Sequence, residues 1–186
     1  MLRPPTLRRR QVLQALGAGA AASLGGPAVA APAGPDDSAA TATPPDSPLP
    51  MPAWHLLDGP VWSPAELQDT ALVLVYFSTT CGYCRRHNQR LDGLARATRG
   101  QALRVLGVAE DTDAERVRQH WREQGHAFPV TLSDDGLRAR LTRRRVIPLT
   151  LVLDRTGRLR ELIPGEMAEA DVLGLARWAR PVPANV

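Results

Sequence analysis

Residues 71–84 read ALVLVYFSTTCGYC, and this stretch decides the fold. Ala71 to Phe77 is an unbroken apolar run of the length of one strand, which predicts a strand buried on both faces rather than half of an amphipathic sheet. Two cysteines, Cys81 and Cys84, follow within a few residues. Beyond Cys84 the apolar positions Leu91, Leu94 and Ala95 keep helical spacing until Gly100, so the pair sits where a buried strand hands over to a helix.

The spacing says what the pair is for. A cross-link between Cys81 and Cys84 closes a very short loop, for which chain entropy gives roughly 1.9 kcal/mol against about 4.7 for a loop of 100 residues. A staple meant for stability would enclose more chain. Positions i and i+3 share one side of a helix, so the two sulfurs can meet without moving the backbone, as a redox couple requires. Unpaired N–H groups and the dipole at the helix start favour thiolate over thiol and lower the pKa of a cysteine placed there. Cys81 is the expected nucleophile and Cys84, one turn further in, the resolving thiol.

Downstream, Leu103 to Val108 predicts a second strand, and Thr112-Asp113-Ala114-Glu115 a capping box opening a helix with Ala114, Val117 and Trp121 on one face. A strand over 128–132, a short helix capped by Asp135 and ending at Leu141, and the pair Ile147-Pro148 come next. Strands over 149–153 and 158–163 flank a turn at 154–157, and a helix over 168–179 buries Val172, Leu175 and Ala176. Upstream, Ser63-Pro64-Ala65-Glu66 carries the signature of a short helix. Alternating strands and helices closed by a hairpin and a helix call for an α/β fold, a central mixed sheet with helices on both faces.

The N-terminal 52 residues differ in kind. Residues 1–30 have a basic start, an apolar stretch from Val12 to Leu24 and the small residues Ala28-Val29-Ala30, the pattern of an export signal. Arg9-Arg10-Gln11-Val12-Leu13-Gln14 is similar to a twin-arginine motif, with Gln14 in place of the frequent lysine. An uncleaved anchor is the alternative; either way the folded part faces an oxidising compartment, the periplasm of a bacterium. Residues 31–52, rich in Pro, Ala, Ser, Thr and Asp, predict a disordered tether. The domain then spans 53–181, with a tail at 182–186.

Charge removes other classes. All 23 basic residues are arginine, so chemistry that needs a lysine amine is absent. Four of those arginines lie in the first ten residues, leaving 23 − 4 = 19 against 19 carboxylates beyond residue 35. A neutral domain lacks the footprint of nucleic-acid binding. Zinc would need two further ligands, and His55, His87, His120 and His126 show no paired ligand spacing, so neither a metal nor another cofactor is expected. Ser78, three residues before Cys81, resembles a peroxiredoxin site, but Leu74 stands where that site has proline.

With a strand, a C-x-x-C helix and a later Ile-Pro before a strand, the region from Trp54 to Ala179 resembles the thioredoxin superfamily. The extra strand and helix between Leu103 and Val130, together with Asp58-Gly59-Pro60-Val61-Trp62-Ser63, resemble the TlpA/ResA group of exported thiol-disulfide reductases. The resemblance implies that Pro148 is cis and sits against the disulfide, presenting the Ile147 backbone to a substrate strand. It implies cysteine-containing exported clients, apocytochrome c among them, and a membrane redox partner for recycling a monomeric protein.

Departures from the group concentrate at the motif. Thr80 stands where Trp is usual, Gly82-Tyr83 where Pro is usual, His87 in place of an acidic residue, Gln89 in place of a proline, and Val75 where thioredoxin has a buried Asp. Thr80 with Cys81-Gly82-Tyr83-Cys84 is similar instead to DsbC-type disulfide isomerases, whose dimerisation domain has no counterpart here. An isomerase or oxidant, or a copper-binding module on the same fold, are the alternatives; the copper modules resemble C-x-x-x-C, one residue longer. Without those carboxylates, and with Arg85, Arg86 and a protonated His87 nearby, the thiolate is expected to be stable and the couple more oxidising than cytosolic thioredoxin. His87 is expected to be a partly exposed helix residue, Tyr83 to serve the rim or a substrate, and Arg143 to Arg145 to form a solvated face.

Overall fold

The computed structural model describes residues 47–134 and 136–181. The apolar run forms β3 (Ala71–Phe77), buried at all of its positions. It lies between β4 (Leu103–Ala109), which is parallel to it, and β6 (Leu149–Leu153), which is antiparallel. With β5 (Val130–Leu132) beyond β4 and β7 (Leu159–Pro164) beyond β6, the order is β5-β4-β3-β6-β7. A separate two-stranded ribbon pairs β1 (Trp54–His55) with β2 (Val61–Trp62).

Both faces of this mixed sheet are covered, which is why β3 has no polar position. Val73, Val75 and Phe77 join a core built from α1 (Gly82–Ala97), α2 (Ala114–Gln124) and α4 (Glu169–Gly174) through Leu91, Leu94, Val117, Trp121 and Val172. Leu72, Leu74 and Tyr76 meet α3 (Gly136–Leu141) through Leu137 and Leu141, together with Trp54 and Leu67. Leu49 and Met51 pack on this second face, and the Leu49 N–H donates to the Gly157 carbonyl at 2.9 Å. The last residues of the stretch expected to be a tether therefore belong to the folded domain. The segment expected to be an export signal, the rest of the expected tether, the expected helix cap Asp135 and residues 182–186 lie outside the described residues.

Three local expectations need correction. The capping bonds at Ser63 form, with Ser63 N–H to Glu66 Oε2 at 2.8 Å and Glu66 N–H to Ser63 Oγ at 3.3 Å, but residues 64–69 make only turns. The 71–77 strand begins too soon for a helix to propagate past its costly first turn. The cap of α2 is Asp113 rather than Thr112, its Oδ1 accepting from the N–H groups of Glu115 and Arg116 at 3.0 and 3.2 Å. The final helix is two pieces, α4 and a 3₁₀ turn over Leu175–Ala179, although Val172 and Leu175 are buried as expected.

Candidate active site

Cys81 occupies the N-cap of α1, in an extended backbone conformation, and is bonded to Cys84 with 5.2 Å between their Cα atoms. The N-cap role is chemical as well as structural, because Cys81 Sγ accepts from the Cys84 N–H at 3.1 Å. An orphan donor of the first turn is thus aimed at the sulfur that would carry charge. Cys81 is half-buried, whereas Cys84 has no exposed surface.

The loop into Cys81 is held by the next strand. Asp111, just past the end of β4, accepts from the Thr79 N–H at 2.9 Å and from Thr79 Oγ1 at 2.6 Å. Composition had not marked Asp111. The usable signal was its place at the carboxyl end of a parallel strand beside the one that feeds the cysteines, where open α/β sheets gather their sites.

The Ile147–Pro148 bond is cis. Register sets it at the same end of the sheet as the cysteine loop: Tyr76 pairs with Leu149, so Pro148 lies level with the end of β3, from which the 78–81 loop departs. Ile147 and Cys81 pack against the same apolar core, while Val146 beside them is 47% exposed. Gly82 is exposed, and a Cβ there would meet nothing within 4 Å. Tyr83 is 65% exposed, with the Arg86 guanidinium 4.8 Å from its ring centre.

Two features of the charge environment differ from expectation. His87 is fully buried. Its Nδ1 accepts from the Met167 N–H at 3.3 Å, which leaves the proton on Nε2 to donate to Thr150 Oγ1 at 2.9 Å. Burial, reinforced by Arg90, pushes its pKa from 6.5 down to about 4, so it is neutral at pH 7 and lends no positive charge to the cysteines. Arg86 is committed as well, with its Nε and Nη2 on the two Glu166 carboxylate oxygens at 3.2 and 2.8 Å. That hydrogen bond holds the Glu166 carboxyl below the usual carboxylate range. Val75 fills its position in full burial, paired with Gly107 on one side and Thr150 on the other. Arg143 and Arg145 are exposed and Arg144 is half-buried.

Solved structures share this fold. A thiol:disulfide interchange protein of the thioredoxin family from Chlorobium tepidum superposes with a TM-score of 0.66 and 23% identity, covering 75% of this chain and 99% of that one. StoA from Bacillus subtilis gives 0.57 and 14% identity over 67% of this chain and 94% of its own. A secreted Mycobacterium tuberculosis disulfide oxidoreductase homologous to E. coli DsbE gives 0.58 and 19% identity, covering 67% and 93%. Likeness at this identity shows a shared thioredoxin fold. No curated protein sequence matches the chain significantly. The Redoxin family model matches residues 45–175, a span that takes in the strand before the cysteines, the disulfide and the cis-proline. The chain accordingly belongs to the Redoxin family and is a thiol-disulfide oxidoreductase on a thioredoxin fold.

Proposed function

We propose that the protein is an exported reductase of disulfides in envelope proteins, with Cys81 as nucleophile and Cys84 as resolving thiol. The observation that carries this reading is the asymmetry of the pair: Cys81 is reachable at the tip of α1 and Cys84 is sealed one turn below it. In the reduced protein the Cys81 thiolate attacks one sulfur of a client disulfide, and the other client sulfur leaves as a thiolate that takes up a proton. The Cys84 thiolate then attacks Cys81 Sγ and expels the second client thiolate. Two electrons have passed to the client, and Cys81–Cys84 is the disulfide that a membrane dithiol partner reduces again.

The client strand would lie along Ile147 and Pro148, with Gly82 and Tyr83 forming the facing rim; the openness at Gly82 and the exposure of Tyr83 and Val146 support that placement. The twin-arginine pattern at Arg9-Arg10 supports export to the periplasm, where apocytochrome c is one candidate client. The reverse direction, donation of the disulfide to a client, is favoured by one observation: Val75 and neutral His87 leave no like charge at the two motif positions where carboxylates are usual.

Trapping tests the reading. Cys84→Ser should accumulate a mixed disulfide through Cys81 when mixed with a disulfide-bridged peptide, visible by non-reducing mass spectrometry, and Cys81→Ser should form none. Equal adducts on both variants, or none on either, would contradict it.

A further inference from the structure

Arg138 is the largest side chain sealed among the described residues, with 2% of its side chain exposed. A cation costs several kcal/mol to bury, and a buried ion pair seldom adds stability over well-packed apolar residues. Its position offers a different use. Arg138 Nη2 donates to the carbonyls of Arg144 and Val146 at 2.9 and 3.1 Å, and Nη1 pairs with the Glu110 carboxylate. The Glu110 N–H in turn donates to the Phe77 carbonyl at 2.8 Å, at the very end of β3. The guanidinium also lies 5.5 Å from the Tyr76 ring centre.

The segment it grips leads straight to Ile147 and Pro148, yet β6 starts only at Leu149. Arg138 therefore supplies, from a side chain, carbonyl contacts that a strand would otherwise supply. The adjacent residue, Asp111, holds the other rim of the site through Thr79. Consecutive carboxylates at the end of β4 thus fix the two rims, one directly and one through Arg138.

We propose that Arg138 is a positioning residue for client docking: anchored on Glu110, it holds the 144–147 segment in register with the loop that carries Cys81. The proposal rests on the reading of Ile147 and Pro148 as the client ledge. It separates docking from sulfur chemistry, because Arg138 grips the ledge while the bonds to Cys81 run through Cys84 N–H and the Ser78–Thr79 loop. Loosening the ledge should weaken capture of a peptide disulfide and leave a small disulfide, which needs no ledge, unaffected.

The test compares wild type, Arg138→Met, Arg138→Lys and Thr142→Ala, the last removing only the hydroxyl that accepts from the Arg144 N–H at 3.1 Å. Turnover with dithiothreitol as donor is followed on a disulfide-bridged peptide and on dithiobis(nitrobenzoate). Arg138→Met should raise KM for the peptide about tenfold, with kcat, the aryl disulfide rate and the potential against glutathione unchanged. Arg138→Lys, which keeps the charge on Glu110, and Thr142→Ala should each raise KM about threefold. If Arg138→Met does not fold, these two carry the comparison. An unchanged peptide KM in the folded variants, or a fall in the aryl disulfide rate equal to the fall with peptide, would overturn the proposal. Inactivity of the wild type on both disulfides would instead sink the oxidoreductase reading beneath it.

Discussion

His87 Nε2 lies 2.9 Å from Thr150 Oγ1, a hydrogen bond that joins α1 to β6 in the interior three residues after Cys84 and two after Pro148. A residue that reads as a partly exposed helix residue is thus a neutral core group tying the helix of the cysteine motif to the strand that follows the proline.

Its pH dependence follows. The unfolded chain takes up a proton near pH 6.5, while the native protein resists protonation of His87 until about 4. The native state binds fewer protons in that window, so the His87 contribution is complete above pH 6.5 and is lost as pH falls toward 4. The loss is on the order of 2–3 kcal/mol. His87→Gln, which can keep a donor and an acceptor but does not titrate, should flatten urea-unfolding stability between pH 7 and pH 4.5 relative to wild type. Parallel curves for the two proteins would contradict the assignment.

Accessibility gives a second prediction. In the reduced protein, iodoacetamide at pH 7 should alkylate Cys81 at least about tenfold faster than Cys84, since a thiolate at a helix N-terminus reacts and a buried thiol is inert. Peptide mass mapping of partly labelled protein reads the ratio. Equal labelling would remove the division of roles.

Much of this was legible because it is local. A continuous apolar run and a C-x-x-C spacing each state their meaning within a few residues, whereas the cis state of Pro148 is implied only by the resemblance of the whole pattern and not by the Ile-Pro pair itself. Positions set by tertiary contact were not legible. Asp111 meets Thr79 across 32 residues, and Arg138 finds Glu110 from another element altogether. His87 depends on which side of α1 faces β6. Ser63 and Glu66 make the bonds of a helix cap with no helix after them, because capping chemistry does not supply the turns that must follow.

Packing beneath the site supplies a third prediction. A Cβ on Gly107 would fall 2.8 Å from Trp121 Cη2 and 3.3 Å from Phe77 Cε1, and Trp121 is tied by its Nε1–H to the Phe128 carbonyl at 2.7 Å. Gly107→Ala should cost about 1–3 kcal/mol in urea unfolding, with the denaturant slope unchanged. A neutral result would mean that Trp121 can shift, against the packing described.

The cap of α2 gives a fourth. Asp113→Ala should lower stability by about 1 kcal/mol, and Thr112→Ala by much less, since it is the Asp113 carboxylate that accepts from the first-turn N–H groups. Thermal melts of the two variants decide between the residues; the opposite order would return the cap to Thr112.

The central claim is that Cys81 and Cys84 form a reversible couple whose thiolate is stabilised by the start of α1 and opposed by no carboxylate at positions 75 or 87. Equilibrating the protein with glutathione buffers, quenching with an alkylating reagent and counting labelled sulfurs by mass measures this directly. The expected result is one two-electron transition, with both sulfurs converting together, at a potential above the value of about −270 mV that thioredoxin shows. A pair that never interconverts in these buffers, or one that titrates at or below thioredoxin's potential, would contradict it.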